Sequence, residues 1–122
     1  MLEPGDLVTH VTLPPPLAGS KHVYLKLRDR ASYEFALASA AVVITIAGGT
    51  VTRARVALGG VGTKPWRSPE AEAALVGETA DGPTFRRAAE AAMRNARPQT
   101  ENAFKIELAK RCLTHALQTA VS

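Results

Sequence analysis

An α+β fold is what this sequence predicts: an antiparallel sheet of about three strands packed against a layer of about three helices. Three observations carry the reading. The run Ala41-Val42-Val43-Ile44-Thr45-Ile46 is rich in β-branched residues, which suit a pleated surface. Gly48-Gly49 comes next and supplies the positive φ angles of a tight hairpin turn. From Ser68 onward apolar residues recur at helical spacing, and strands followed by helices define the α+β layout.

The elements follow in order. Leu7 to Leu13 has the composition of a short strand, which Pro14-Pro15-Pro16 stops by removing donors and fixing φ. Residues 1–20 therefore read as a tail or linker and residues 21–122 as the domain. In KHVYLKLRDR, Val23, Leu25 and Leu27 alternate with Tyr24, Lys26 and Arg28, the period of a half-buried strand or an extended segment. Residues 31–37 read as a turn or a single helical turn. The hairpin covers 36–47 and 50–59, with Ala54, Val56 and Leu58 on a covered face and Arg53 and Arg55 on a wet one.

Ser68 is suited to cap a first helix, with Pro69 at its first position and Glu70 and Glu72 near its positive end. That helix ends near Gly77. A second comes after Asp81-Gly82-Pro83, presents Phe85, Ala88, Ala89, Ala92, Met93 and Ala96, and breaks at Arg97-Pro98. A third starts near Thr100 or Asn102 and runs to about Ala120, with an apolar arc of Phe104, Leu108, Ala109, Cys112, Leu113, Ala116 and Leu117.

Composition excludes several function classes. A chain of 122 residues supports one domain and one core. The net charge of +4 is spread along the chain without a dense basic stripe, which argues against a nucleic-acid binder. One cysteine permits no internal disulfide and no iron–sulfur cluster held by this chain alone. The first residues lack the apolar core of a signal peptide, and no apolar run reaches the about 20 residues of a membrane helix. No membrane association and a cytoplasmic location are expected, with a periplasmic one as the alternative if a folded partner carries the domain across a membrane.

Chemical motifs are sparse. Gly59-Gly60-Val61-Gly62-Thr63-Lys64 lacks the Walker spacing, and Pro65 stands where Ser or Thr is needed, so a strand exit with a tight turn is the reading. His10, His22 and His115 lack ligand spacing. Cys112 reads as core, and Trp66 as either a plug between sheet and first helix or a contact residue. No paired carboxylates and no Ser/His/Asp arrangement are evident, so no catalytic residue is assigned.

The ordered set of pieces is more specific than any one of them. It comprises Tyr24-Leu25-Lys26-Leu27-Arg28-Asp29-Arg30, then Ala31-Ser32-Tyr33-Glu34-Phe35-Ala36, then the hairpin with its Leu58-Gly59-Gly60-Val61 end. Lys64-Pro65-Trp66-Arg67 and the tail Asn102-Ala103-Phe104-Lys105 with Leu108-Ala109 complete it. This order resembles the C-terminal domain of the FAD-binding subunit of molybdenum hydroxylases, a family of xanthine, carbon monoxide and aldehyde dehydrogenases. Residues 3–15 resemble the strand that leads out of the preceding FAD domain, so the likeness covers nearly the whole chain.

The resemblance implies an electron-transfer role. Electrons from a molybdenum centre pass through iron–sulfur clusters to FAD and on to an acceptor. The implied partners are the FAD-binding domains of the same subunit, the molybdenum-cofactor subunit and the iron–sulfur subunit. The lysine at the position of Lys26 reaches the flavin in the family, which makes Lys26 the first candidate site residue. Arg28, Arg30 and Tyr33 join it through proximity in sequence. The family's glycine-rich pyrophosphate loops belong to preceding domains and are missing here, so the isolated chain is expected to bind FAD weakly or not at all. The competing reading is an interaction module that serves subunit assembly only.

Overall fold

The computed structural model describes residues 3–122. Its elements are β1 (Ser20–Leu27), β2 (Ala38–Ala47), β3 (Thr50–Gly59), β4 (Trp66–Arg67), α1 (Pro69–Leu75), α2 (Gly82–Met93) and α3 (Phe104–Val121). The strands form one antiparallel sheet in the order β1-β2-β3-β4, with the helices on one face. The α+β class and the three helices stand as expected. The two-residue β4 is an addition. Leu7 to Leu13 forms no strand, because among the described residues no segment pairs with it, and its apolar side chains are exposed.

The hairpin sets the sheet's register. Gly48 and Gly49 take φ of 57° and 79°, the two positive values of a type I′ turn, which matches the natural twist of the flanking strands. From there β2 and β3 pair along nearly their whole length. One irregularity matters: the register shifts at Thr45/Ile46, leaving Thr52 without a strand partner. Its hydroxyl donates to the Thr45 carbonyl instead, at 3.1 Å. The extra residue lets Val51 and Ala54, three apart in sequence, both face the helices.

Alternation then decides what is buried. Ala38, Ala40, Val42 and Ile44 of β2 and Ala54, Val56 and Leu58 of β3 form the floor of the core. Val23, Leu25 and Leu27 of β1 pack at its margin. Ala71 and Leu75 of α1, Phe85, Ala88 and Ala89 of α2, and Leu113, Ala116 and Leu117 of α3 close it from above. Phe85 is among the largest fully buried side chains, and burial of such a ring is worth about 1.5–3 kcal/mol. Cys112 lies in this core, where burial pushes its thiol up to about 11. It is a packing residue.

The helix starts are only partly those expected. Ser68 Oγ accepts from the Ala71 N–H at 3.3 Å and caps α1, and Asp81 Oδ1 accepts from the Thr84 N–H at 2.9 Å and caps α2. Helix α2 ends at Met93, before the proline expected to break it. Helix α3 begins at Phe104 without a side-chain cap. Asn102, an expected start, instead accepts from the Gln99 N–H at 2.7 Å and closes the preceding turn. Phe104 is 57% exposed and stands outside the core.

The outer edge of β3 is sealed by the segments that come after it in the chain. The Gly77 N–H donates to the Val51 carbonyl and the Val51 N–H to the Glu78 carbonyl, at 2.8 and 2.9 Å. Farther along, the Ser68 N–H donates to the Val56 carbonyl at 3.0 Å. The Val56 N–H has no strand partner and donates to Glu72 Oε1 at 3.2 Å. Glu72, expected only to favour the start of α1, is therefore a buried carboxylate that joins helix to sheet. Arg67 Nε and Nη2 donate to its two oxygens at 2.9 Å each, and Arg55 Nη1 adds a longer contact at 3.3 Å.

The Arg67 hydrogen bonds are the main cause that holds the Glu72 carboxyl below its ordinary value of 4.5, against the opposing effect of burial. A depressed folded-state value stabilises the fold above pH 4.5, and that contribution is lost as pH falls through the folded value. Glu72→Ala leaves the Val56 amide unpaired and should lower the unfolding free energy by about 1–3 kcal/mol in urea titrations. Glu72→Gln should flatten the loss of stability on acidification below pH 4.5. An unchanged acid slope would show that the carboxylate is not the linked group.

Candidate functional site

The candidate site forms where β1 leaves the sheet. Because Val23, Leu25 and Leu27 turn toward the helices, Tyr24 and Lys26 turn to the opposite, helix-free face. The Leu37 N–H then donates to the Leu27 carbonyl at 2.9 Å and closes residues 28–36 into a loop. Gly60 supports its base: φ is 73°, and a Cβ there would lie 2.8 and 2.9 Å from the carbonyl oxygens of Leu37 and Ala36. The glycine run after β3 is thus a close-approach turn that leads into β4.

Inside the loop Arg30 acts as a clamp. Its Nη2 donates to the Tyr33 carbonyl at 2.6 Å, and its Nε pairs with Glu34 Oε2 at 2.9 Å. Tyr33 has φ of 54°, the left-handed region that side chains other than glycine seldom occupy. The turn expected over 31–37 is this constrained loop, and no helical turn forms. The clamp leaves two aromatic rings outside, with Tyr33 95% and Phe35 93% exposed.

Lys26, Arg30, Tyr33, Glu34 and Phe35 line one shallow cleft of about 540 Å³. Three of the four residues proposed from the sequence thus meet in one place. Arg28 is exposed and is not part of the lining. Lys26 is half-buried, and among the described residues no carboxylate pairs with it. Arg30 is committed to its own loop. Phe35 and Glu34 were not singled out from sequence, although an aromatic pair spaced by two, just beyond a charged stretch, was the available signal.

Chemically, the cleft offers one ammonium group beside two exposed aromatic faces, open on the side away from the helices. That combination offers positive charge and apolar aromatic surface side by side. It holds no paired nucleophile and base. Elsewhere Trp66 is 52% exposed in β4, beside Val61, Glu70 and Met93 on a shallow groove. It is not a plug, because a two-residue strand at the sheet edge leaves one side of the ring uncovered. Among the described residues no three His, Cys, Asp or Glu side chains gather, and no helix is long and apolar enough to cross a membrane.

The structure is thus a small antiparallel sheet backed by three helices, with a shallow cleft lined by charged and aromatic residues. Residues 23–120 match the family model described as the CO dehydrogenase flavoprotein C-terminal domain, and the chain belongs to that family. It is 49% identical over 120 residues to the aldehyde oxidoreductase FAD-binding subunit PaoB of Escherichia coli (strain K12), covering 98% of this chain and 34% of that protein. It is 37% identical over 87 residues to the carbon monoxide dehydrogenase medium chain of Afipia carboxidovorans, covering 71% of this chain and 30% of that one. Its fold superposes on carbon monoxide dehydrogenase from Hydrogenophaga pseudoflava with a TM-score of 0.81 at 32% identity, covering 88% of this chain and 39% of that chain. The chain therefore spans about a third of the length of the relatives it matches.

Removal of the clamp provides a direct test of the loop. Arg30→Ala should raise hydrogen exchange of the amides in 31–36 about fivefold, equivalent to about 1 kcal/mol of local opening, and leave the β2–β3 amides unchanged. Equal protection in the variant would show that Tyr33 keeps its conformation without Arg30.

Proposed function

We propose that this chain is the C-terminal domain of the flavin subunit of a molybdenum-dependent oxidoreductase and closes the FAD site there. Family membership supports the reading, and the observation that carries it is the placement of Lys26 beside Tyr33 and Phe35 at an open cleft. Bound FAD would collect electrons arriving singly from iron–sulfur clusters and release them in pairs to an acceptor. Within that site Lys26 supplies a positive charge next to the ring and favours its anionic form. Tyr33 and Phe35 offer apolar surface that excludes water from the ring. Arg30 and Glu34 hold the loop that carries both rings.

The rest of the cofactor must be held elsewhere. FAD phosphates bind to successive backbone N–H groups in glycine-rich loops. The glycine-rich turn at 59–62 leads into β4 and lies against the 36–37 backbone. The FAD-binding domains of the same subunit fill that role, with the molybdenum-cofactor and iron–sulfur subunits as further partners. Residues 3–19 link to those domains. Titration of FAD into the isolated chain should show no saturable 1:1 binding, and tight binding would contradict this division of labour.

Replacement of Lys26 in the complete enzyme separates this reading from that of a pure assembly module. Lys26→Ala should slow flavin reduction about tenfold, equivalent to about 1.4 kcal/mol, or lower the FAD content, with the subunits still assembled. Unchanged flavin chemistry in a fully assembled variant would favour the assembly module.

A further inference from the structure

The helix-free face of the sheet has a composition that the flavin cleft does not use. Register places its residues in rows. Tyr24 of β1 lies opposite Ala41 of β2, Ala41 opposite Ala57 of β3, and Ala57 opposite Arg67 of β4. The next row is His22, Val43 and Arg55, and the one beyond it Ser20, Thr45 and Arg53. The row on the other side is Lys26, Ser39 and Gly59, which joins the face to the cleft. The centre is thus a floor of small side chains, with Ala41 exposed, and Tyr24 standing at its margin 66% exposed.

The unpaired charges around this floor are positive. Lys26, Arg53, Arg55 and Arg67 all project from it, and His22 adds a titratable group. The nearby carboxylates are already engaged: Glu72 by the Arg55 and Arg67 guanidinium groups, and Glu34, at the cleft end, by Arg30. A second copy of the chain does not suit this surface, because a two-fold contact would set arginines against arginines. An acidic surface suits it, since it would neutralise the cations while its backbone or small side chains rest on Ala41, Val43 and Ala57.

We infer that this face is a docking surface for an acidic, flat protein surface belonging to the remaining part of the same flavin subunit. The choice of occupant rests on the flavin reading of Lys26: a ring reached by Lys26 and held by that part of the subunit brings it to the Lys26 end of the face, and the rows continue from there without a break. The relatives, about three times as long as this chain, carry the chain length to supply it.

Hydroxyl-radical footprinting of the intact enzyme, and of the flavin subunit freed of the other subunits, tests the inference. Tyr24 should be labelled about fivefold less than Phe104 on the helix layer in both preparations, each normalised to the denatured chain, because a surface docked on this face excludes solvent from the side chains it covers. Arg53→Glu, at an exposed residue with no partner among the described contacts, should weaken association of this domain with the rest of the subunit about three- to tenfold and make it more salt-sensitive. Arg86→Glu on α2 is the control and should do neither. Tyr24 labelled as freely as Phe104 in both preparations overturns the inference, and so does protection that appears only when the other subunits are bound. If Lys26→Ala alters the flavin while Tyr24 remains freely labelled, the function stands and the docking surface falls. If Tyr24 is protected in both preparations, Arg53→Glu weakens association and Lys26→Ala leaves the flavin unchanged, the docking surface stands and the flavin role falls.

Discussion

The sheet is buried on one face only, and every functional feature of the chain depends on that. The helices cover one side of β1, β2 and β3, so strict alternation sends Val23, Leu25 and Leu27 inward and Tyr24 and Lys26 outward. A slip of one residue in the pairing of β1 would bury the lysine and expose the leucines. Lys26 is therefore placed by the hydrophobic pattern of its neighbours, with no contribution from a partner of its own.

Two devices keep the one-sided sheet intact. The bulge at Thr52 restores the inward set after the hairpin, and the sealed edge of β3 prevents the strand from pairing with another chain. Glu72 is central to the second device. It satisfies an amide that no strand reaches and fixes Arg67 and Arg55 on the open face. The same carboxylate thus serves stability and shapes the charge of the uncovered surface.

Local chemistry was legible in the sequence, and long-range chemistry was not. Gly48-Gly49, Ser68-Pro69 and Asp81-Gly82-Pro83 each contain the whole reason for a turn or cap within a few residues; the first two appear where expected, and the third, expected as a turn before α2, is its cap and first two residues. The start of α3 was misplaced because Asn102 can cap either a helix or a turn, and the turn takes it. The pairing of Glu72 with Val56 and Arg55 spans 16 and 17 residues and leaves no mark in spacing. At the site, the family likeness alone pointed to Lys26, and alternation gave only the side of the strand it occupies. The clamp of Arg30 on Tyr33 and the inclusion of Phe35 depend on loop geometry that a period-two pattern does not encode.

A structure of the complete enzyme with FAD bound tests the central claim most directly. The distance from Lys26 Nζ to the nearest flavin atom should be that of a hydrogen bond, about 3 Å, with Tyr33 or Phe35 touching the ring. A lysine directed into solvent, with the ring enclosed by other domains alone, would contradict the account.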